Sequence, residues 1–542
     1  MNRKWLILPL ILALAFFFRV IDIQKNSLYG DELTLTLDAY SLLQTGRDQN
    51  GQFLPLTFTM SEGRSPVYVY FAVPFIALFG PNEIGVRILS VLSGIGIVLL
   101  LYLLTKHLLN ENIALAAVAL AAISPWDIAL SRGAFETHLA LFLALLGIYT
   151  LMRVKEKPWF LLISALSFGL SIHAYHSYKP IIPIFLLFLI WFIKAWKLIS
   201  IKFTRVYLGS AVFIFLMFVI LWFSQIGKGS DVRFQNISVF NDQDLKEKIV
   251  QNINNTRLMS NLPFGIASFF DNKFISYSFL IGENYLDNLM PNFLFIHGDS
   301  NPRHNPATMG ELFLGQLVLI LFGFSVVFKN NPRLLIFLLG WILLSPIATA
   351  FVGGPHALRS AFMIPPLIIL SACGLIGFWN FSKSYIWGKA IILLICFALL
   401  VQFIFFAQRL YFLSANTFEK FWSKPAKQVS LLVFNDQNKF DNVILSSRLD
   451  NIEYALPVYG KIKPELVIEQ NKNPYFLSGY KFKKFGNILI GSVNKENIAN
   501  FLDDLPGSVL YIGVPSEKEV LPQSEMIFGK DQLPSFIVVR KT

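Results

Sequence analysis

Eleven apolar stretches run through the first 408 residues of this chain, at 5–20, 87–108, 112–128, 135–152, 159–172, 180–196, 207–225, 312–328, 334–352, 357–378 and 387–408. A helix needs about 20 apolar residues to cross a bilayer. Only helices and closed barrels satisfy their backbone groups there. Repeated stretches of this length predict a polytopic α-helical membrane protein with about 11 transmembrane helices. The composition agrees. Of 542 residues, 54% are hydrophobic and only 15% charged, too little charge to cover a soluble surface of this size. A cytosolic enzyme, a fibrous protein and a disordered scaffold are excluded. The net charge of +12 could suggest nucleic acid. In a membrane protein, however, basic residues mark cytoplasmic loops, and no nucleic-acid partner is expected. Cys373 and Cys396 both sit in apolar runs, so neither a disulfide framework nor a thiolate metal cluster is available.

Loop charge sets the expected orientation. With the N-terminus inside, the cytoplasmic loops carry Lys106; Arg153, Lys155 and Lys157; Lys194, Lys197, Lys202 and Arg205; Lys329 and Arg333; and Lys383 and Lys389. The basic bias recurs on alternate loops, as the positive-inside rule requires. The segment 66–79 is apolar but short and holds Pro66 and Pro74. Counting it as a span would reverse every later loop, so it reads as a helix at the interface. Arg3 and Lys4 before an apolar core resemble a signal peptide. The only cleavage-like site, Ala13-Leu14-Ala15, lies inside the apolar run, so a retained first helix is expected. The expectation is a multi-pass plasma-membrane protein with a cytoplasmic N-terminus and an extracytoplasmic C-terminal region.

Two outer loops are long, 21–65 and 226–311, the second with an expected interfacial helix near 286–295. The transmembrane module is read as 1–412. From about Phe418 the composition becomes soluble, and 413–542 reads as a small extracytoplasmic α/β domain. Its strands are expected at 441–447, 465–469, 487–491, 508–514 and 535–540, with a helix at 495–505.

Charges inside a span are expensive and usually functional, and the central portions of these spans hold almost none. They gather at the outer ends instead: Arg19, Asp22, Asp31, Glu32, Arg64, Arg87, Asp127, Arg132, Glu136, Lys179, Arg303, His304, His356 and Arg359. An ion-coupled transporter, with its site near the midplane, has little support. The adjacent Asp31-Glu32 pair points two ways on a helix, so its members do not share one duty; an acidic helix N-terminus is the plain alternative. Arg132 and Glu136, four apart, are expected on one helical face at the start of the fourth span, as a site pair or a surface ion pair. Arg64 stands before an aromatic interfacial helix and Arg87 at the head of a span, where snorkelling or anchoring would also explain them. His173, His176 and Lys179 lie in an expected short outer loop. Two histidines three apart could ligate a metal, but no third ligand is evident beside them. The turn Gly298-Asp299-Ser300-Asn301-Pro302-Arg303-His304-Asn305-Pro306 is densely polar and pinned by prolines, and Pro355-His356-Ala357-Leu358-Arg359 enters the tenth span likewise. Asp242-Gln243-Asp244 looks like a nucleotide-sugar metal motif in a solvated loop and is set aside.

Cations beside a few carboxylates at the outer bilayer face suit a phosphate carried on lipid. Glycosyl transfer needs a base for the acceptor proton and positive charge for the departing phosphate. Arginine forks match phosphate oxygens. Gly30-Asp31-Glu32 after the first span, Arg64-Ser65-Pro66-Val67-Tyr68, Phe79-Gly80-Pro81-Asn82-Glu83, Val86-Arg87-Ile88-Leu89-Ser90, Ser124-Pro125 and Ser131-Arg132-Gly133-Ala134-Phe135-Glu136 follow in order. In them the chain resembles the GT-C superfamily, in the branch of bacterial protein mannosyltransferase-like and aminoarabinose-transferase-like enzymes. The resemblance is collinear over roughly the first 200 residues and weaker beyond.

That resemblance implies a GT-C fold, a polyprenyl-phosphate-linked sugar donor, and an extracytoplasmic protein, lipid or glycan acceptor. It makes Asp31 the candidate base, Glu32 a positioning or acceptor-contacting neighbour, and Arg132 and Glu136 second-loop site residues. Arg64 becomes a candidate for phosphate contact and Arg87 for substrate binding, and His173, Lys179, Arg303, His304, His356 and Arg359 for lining the donor pocket. The second loop lacks the Asp-x-Asp pair of oligosaccharyltransferases, so no metal ligand is assigned and a divalent metal is left without support. The expected function is a glycosyltransferase acting with inversion. A flippase or transporter of lipid-linked glycans is the first alternative, and a non-catalytic anchor displaying the C-terminal domain the second.

Overall fold

The structure, a computed structural model, describes residues 6–58, 63–195, 205–226 and 232–541. It divides into two compact units, and each is described by itself. The first comprises 1–19, 61–65 and 90–406; the second comprises 20–60, 66–89 and 407–542.

The first unit is helical, and every one of the eleven apolar stretches is at least partly helix. Among the described residues, five helices are long and apolar enough to cross a membrane by length and composition: Glu83–Leu108, Tyr207–Ser224, Pro332–Ala350, Ala357–Lys383 and Trp387–Thr417. A bent pair brings the number to six. The expected count of about eleven is therefore not reached on length. The other stretches form shorter apolar helices: Ile7–Val20, Glu136–Met152, Phe160–Ala174, Tyr178–Ile193 and Leu314–Asn330. In the second unit Pro66–Phe79 is also apolar, 14 residues with Pro74 inside. At 1.5 Å per residue it spans about 21 Å, short of a bilayer core of about 30 Å.

Helices Leu314–Asn330 and Ile364–Ser384 pack at glycines. A Cβ on Gly323 would sit 2.0 Å from the Leu370 carbonyl oxygen, and one on Gly374 1.9 Å from that of Leu319. Small residues let the two backbones touch, the usual device where lipid offers no hydrophobic drive between helices.

Three expectations in this unit are corrected. The stretch 112–128 is not one continuous helix. It breaks between Glu111–Ala122 and Pro125–Ser131 with a 56° bend, because Pro125 cannot donate to the helix before it and disfavours helical backbone at Ser124. Arg132 and Glu136 do not share a helical face: Arg132 caps the end of Pro125–Ser131, and Glu136 opens Glu136–Met152. The long loop 226–311 is largely helical, with Gln243–Met259, Phe264–Phe270 and Lys273–Asp287. The helix expected near 286–295 is instead the end of the last of these followed by a short π-helical turn, Asn292–Ile296.

The second unit centres on a seven-stranded sheet: β1 Asn442–Ser446, β2 Tyr475–Leu477, β3 Tyr480–Phe485, β4 Ile488–Gly491, β5 Val509–Gly513, β6 Glu525–Phe528 and β7 Pro534–Lys541. Its order is β2-β3-β4-β1-β5-β7-β6. The middle strands β4, β1 and β5 are parallel and the flanks antiparallel. The parallel strands are near-continuous apolar runs, as strands covered on both faces must be. Ile444, Phe482, Leu489, Ile498, Phe501, Tyr511 and Ile537 form one core. The strand expected at 465–469 is a helix, Pro464–Lys472. Leu466-Val467-Ile468 reads as a strand by propensity, but Pro464 at the first turn presets helical φ, and burial of Val467 on one face decides the outcome.

This unit also holds Gly30–Thr45, a helix inside what the sequence presents as an outer loop. It packs on Pro66–Phe79, Ile452–Tyr459 and Pro464–Lys472. Leu28 donates its N–H to the Tyr459 hydroxyl at 3.0 Å, and Tyr459 donates to Glu83 Oε1 at 2.9 Å. Lys427 meets the same oxygen at 2.8 Å. At Gly30 a Cβ would lie 2.6 Å from Asn451 Oδ1, so a larger residue just before Asp31 would have to displace the Asn451 side chain.

Candidate functional site

In the second unit the neighbouring acids Asp31 and Glu32 part company. Both occupy the first turn of Gly30–Thr45, where negative charge is favourable with the helix dipole. Glu32 is fully buried, and Arg87 Nε and Nη2 donate to its two oxygens at 2.8 and 2.5 Å. Arg87 Nη1 donates to the carbonyls of Ile23 and Asn26, and Nη2 also to that of Ser27. All five guanidinium N–H groups are thus spent on fixed oxygens. Neither Glu32 as an acceptor contact nor Arg87 as a substrate contact, both expected above, fits this geometry: the two form a buried brace. Asp31, by contrast, is half-buried on the same turn.

In the first unit one end of the helix bundle collects most of the other candidates. Arg64 Nε lies 3.0 Å from Glu136 Oε1. The preceding residue, Gly63, offers its carbonyl to His176 Nε2 at 2.9 Å. A carbonyl only accepts, so that nitrogen carries the proton, leaving His176 Nδ1 to accept from Lys179 Nζ at 3.1 Å. Beside Glu136, Thr137 Oγ1 donates to the Leu358 carbonyl at 2.7 Å, and the Phe135 ring meets His304 edge to face. Trp126 Nε1 donates to the Ala357 carbonyl at 3.1 Å. The segments bearing Arg64, Glu136, Lys179, His304 and His356 therefore share this end, with half-buried Arg303 and Arg359 on the same two loops.

His304 and His356 meet at a residue absent from the sequence-based candidates. Asp299 Oδ2 lies 3.0 Å from His304 Nδ1 and 3.7 Å from His356 Nδ1, and it accepts the Ala357 N–H at 2.8 Å. Asp299 Oδ1 accepts the Asn301 N–H at 2.8 Å. Burial raises the Asp299 carboxyl, but the His304 hydrogen bond, both imidazoles and the Asn301 amide outweigh it and hold the pKa at about 2. Behind it, burial and the Asp299 charge push the Glu311 carboxyl well above its usual range, although it accepts the Asp299 N–H. The Asp-to-His spacing within one polar turn is visible in the sequence; its junction with His356, far along the chain, is not.

Two candidates lie elsewhere. His173 is not in an outer loop but near the end of Phe160–Ala174, and its Nε2 meets the Phe218 carbonyl at 2.9 Å, tying two helices together. Arg132 reaches the Arg19 carbonyl with Nη1 at 3.3 Å. Arg19 is itself the pin of the broken helix. It donates Nη2 to the Ala121 carbonyl at 3.1 Å and Nη1 to that of Ala122 at 3.2 Å, and it pairs with Asp127. His138 Nε2 lies 2.9 Å from Asp127 Oδ1, and its Nδ1 donates to the Ser90 carbonyl. The break leaves helix-end carbonyls short of donors in an apolar setting. Arg19 supplies them, which fixes the loop that carries Arg132 and Glu136.

With this geometry in place, comparison with known proteins is informative. A family model described as dolichyl-phosphate-mannose-protein mannosyltransferase matches residues 63–222. No curated protein matches the chain. Among solved structures, apo ArnT from Cupriavidus metallidurans is similar with a TM-score of 0.53 at 12% identity, over 99% of this chain and 97% of that one. ArnT from the same organism bound to undecaprenyl phosphate gives 0.54 at 11%, over 100% and 98%. The apo oligosaccharyltransferase of Archaeoglobus fulgidus gives 0.51 at 14%, over 95% and 70%. The fold is that of the GT-C superfamily. The family model covers residues 63–222 alone, and the full-length likeness to ArnT is one of fold.

Proposed function

We propose that the protein moves a sugar from a polyprenyl phosphate to an extracytoplasmic acceptor, with Asp31 as general base. The observation that carries this reading is the division of labour on one helical turn: Glu32 is consumed by Arg87, while Asp31 stands half-buried in the same turn, outside that pair. In the step, the acceptor heteroatom attacks the anomeric carbon and gives its proton to Asp31. The bond from that carbon to the phosphate oxygen breaks, and the lipid phosphate leaves from the opposite face, so the anomeric centre inverts. Arg64 and Lys179, gathered with Glu136 at one end of the bundle, stabilise the leaving phosphate, and Arg132, Arg303 and Arg359 contact the donor. Charge placed where it develops in the transition state is the largest common source of catalysis. ArnT, similar in fold, has been captured with undecaprenyl phosphate, which supports a donor of this chemical class. The proposed setting is the plasma membrane, with the site on the extracytoplasmic side.

Purified protein in lipid, supplied with a panel of radiolabelled polyprenyl-phosphate sugars, tests the reading. Wild type is expected to turn over at least one donor, and Asp31→Asn to lose about 10²–10⁴-fold in kcat with an unchanged unfolding midpoint. Equal turnover by the two proteins overturns the assignment of the base.

A further inference from the structure

Within the first unit, Gln243–Met259, Phe264–Phe270 and Lys273–Asp287 form a helical hairpin that the chemistry above does not use. Its last helix is rooted in the bundle. Asn284 Nδ2 donates to the Ala350 carbonyl at 3.2 Å and the Tyr285 hydroxyl to that of Leu343 at 2.6 Å, both in the second half of the apolar helix Pro332–Ala350. Around the turn, Leu258, Met259, Phe264, Phe269, Phe274 and Phe279 are between 71% and 84% exposed. Apolar groups this bare and this close in the chain mark an interaction surface. We propose that the tip of the hairpin, residues 258–270, inserts among the lipid acyl chains of the membrane leaflet that its root adjoins.

The chemistry of the tip selects lipid over a protein partner. From Leu258 to Phe270 the sequence holds no charge. Ser260 and Ser268 donate their hydroxyls to the carbonyls of Arg257 and Gly265 at 3.2 and 2.9 Å, which leaves Asn261 as the remaining polar side chain. The backbone turns on itself as well: the Ser260 N–H reaches the Thr256 carbonyl, those of Ile266 and Ala267 the Pro263 carbonyl, and that of Asp271 the Ala267 carbonyl. Internal pairing of this kind is what hydrocarbon demands of a backbone. A protein interface carries about one hydrogen bond per 100–200 Å², and this surface has almost nothing to make them with.

Where the chain enters and leaves the tip, its character changes at once. Arg257 Nε donates to the Asp271 carbonyl at 2.8 Å and closes the neck. Asn272 Nδ2 donates to the Phe269 carbonyl at 2.8 Å, while its Oδ1 caps Lys273–Asp287. The Arg257 guanidinium lies 5.6 Å from the Phe264 ring, and among the described residues only its Nε makes a hydrogen bond. With Lys273 it sets two cations at the neck, beside Asp271, at the level that headgroup phosphates occupy once the tip is in hydrocarbon. Beyond the neck, the first helix exposes Gln251, Asn252, Asn254 and Asn255. Apolar tip, cationic neck and polar stem repeat the layers of a leaflet: acyl chains, headgroups and water. The surface does not depend on the proposed reaction.

The test places wild-type, full-length protein in phospholipid nanodiscs and labels it with one of two carbene probes, a phosphatidylcholine with a diazirine in its acyl chain or a water-soluble diazirine. Adducts are mapped by mass spectrometry. The ratio of acyl-chain to aqueous labelling is expected to be higher over 258–270 than over 243–256. An equal or lower ratio overturns the proposal, and so does a tip that neither probe reaches, the result expected if a second copy or another protein covers it. Phe264→Asp/Phe269→Asp is expected to bring the ratio at the tip down towards that of 243–256, with unchanged labelling of the long apolar helices as the check on folding. A correctly folded double variant that keeps the wild-type ratio at the tip also overturns the proposal. Donor turnover by wild type is read in the separate panel assay, so failure of the lipid contact and failure of the proposed reaction are distinguishable.

Discussion

Two glutamates stand in the first turns of helices and each meets an arginine, Glu32 with Arg87 in one unit and Glu136 with Arg64 in the other. The first pair is sealed. Its side chains are 0% and 1% exposed, and the arginine spends every donor on atoms that cannot move. The second is open at its edge, with Glu136 16% exposed beside the His176–Lys179 pair. Identical chemistry thus serves two ends. A saturated pair braces the chain, while a pair at a polar edge can exchange one partner for a ligand. The difference lies in surroundings, which residue type alone does not reveal.

The sharpest break of this comparison is Glu32→Ala. It leaves a buried guanidinium without its counter-charge, and losing one partner of a buried pair costs about 3–5 kcal/mol. Denaturant unfolding in detergent, followed by tryptophan fluorescence, is expected to show that loss. The double change Glu32→Met/Arg87→Met is expected to recover only part of it. A buried pair can often be replaced by apolar groups at little cost, but here the carbonyls of Ile23, Asn26 and Ser27 would lose their donors too. A wild-type midpoint for Glu32→Ala would show that the pair braces nothing.

Arg64→Ala tests the open pair. A charge-assisted hydrogen bond contributes about 1.5–3 kcal/mol, so removing a phosphate contact is expected to lower kcat/KM for the lipid donor by about 10–100-fold. Glu136→Gln keeps the volume and frees the arginine; it is expected to move KM more than kcat. Loss of folded protein in both variants, with unchanged kinetics of what remains, would make this pair a second brace and erase the contrast.

How much of this was legible beforehand follows the same division. Apolar runs are local and repetitive, so the helices were readable where lipid or core dictates their length. The helix break at Ser124-Pro125 was written in the proline, but its pin was not: Arg19 and His138 are far from it in sequence and join only in the fold. The strand β3, Tyr480-Lys481-Phe482-Lys483-Lys484-Phe485, alternates too imperfectly to announce itself, and Phe482 is buried only once β4 and the helix Ile498–Asp503 are in place. Asp31 and Glu32 read alike as an acidic pair, and that Glu32 is the one taken by Arg87, 55 positions along, shows only in the fold. Asp299 stands in a turn whose polarity is plain in the sequence, but its junction with His356, from a different loop, is not. Charge position was readable; charge partnership was not.

The smallest effect expected is also the most direct control for that conclusion. Lys495 and Glu519 of the soluble domain approach to 2.5 Å, the same separation as Arg87 and Glu32, but their side chains are 35% and 74% exposed. The hydrogen bond from Lys495, then its charge, lowers the Glu519 carboxyl pKa. A depressed carboxylate stabilises the fold above its unfolded pKa, and that contribution fades as pH falls through the carboxylate range. Water and salt screen so exposed a pair, and at 1 M salt the Debye length shrinks to about 3 Å. Lys495→Ala is therefore expected to leave the unfolding midpoint within experimental error at neutral pH, at low and at high salt alike. A loss comparable with that of Glu32→Ala would mean that separation, not burial, sets what an ion pair contributes in this protein, and the contrast between the sealed and the open pair would fail with it.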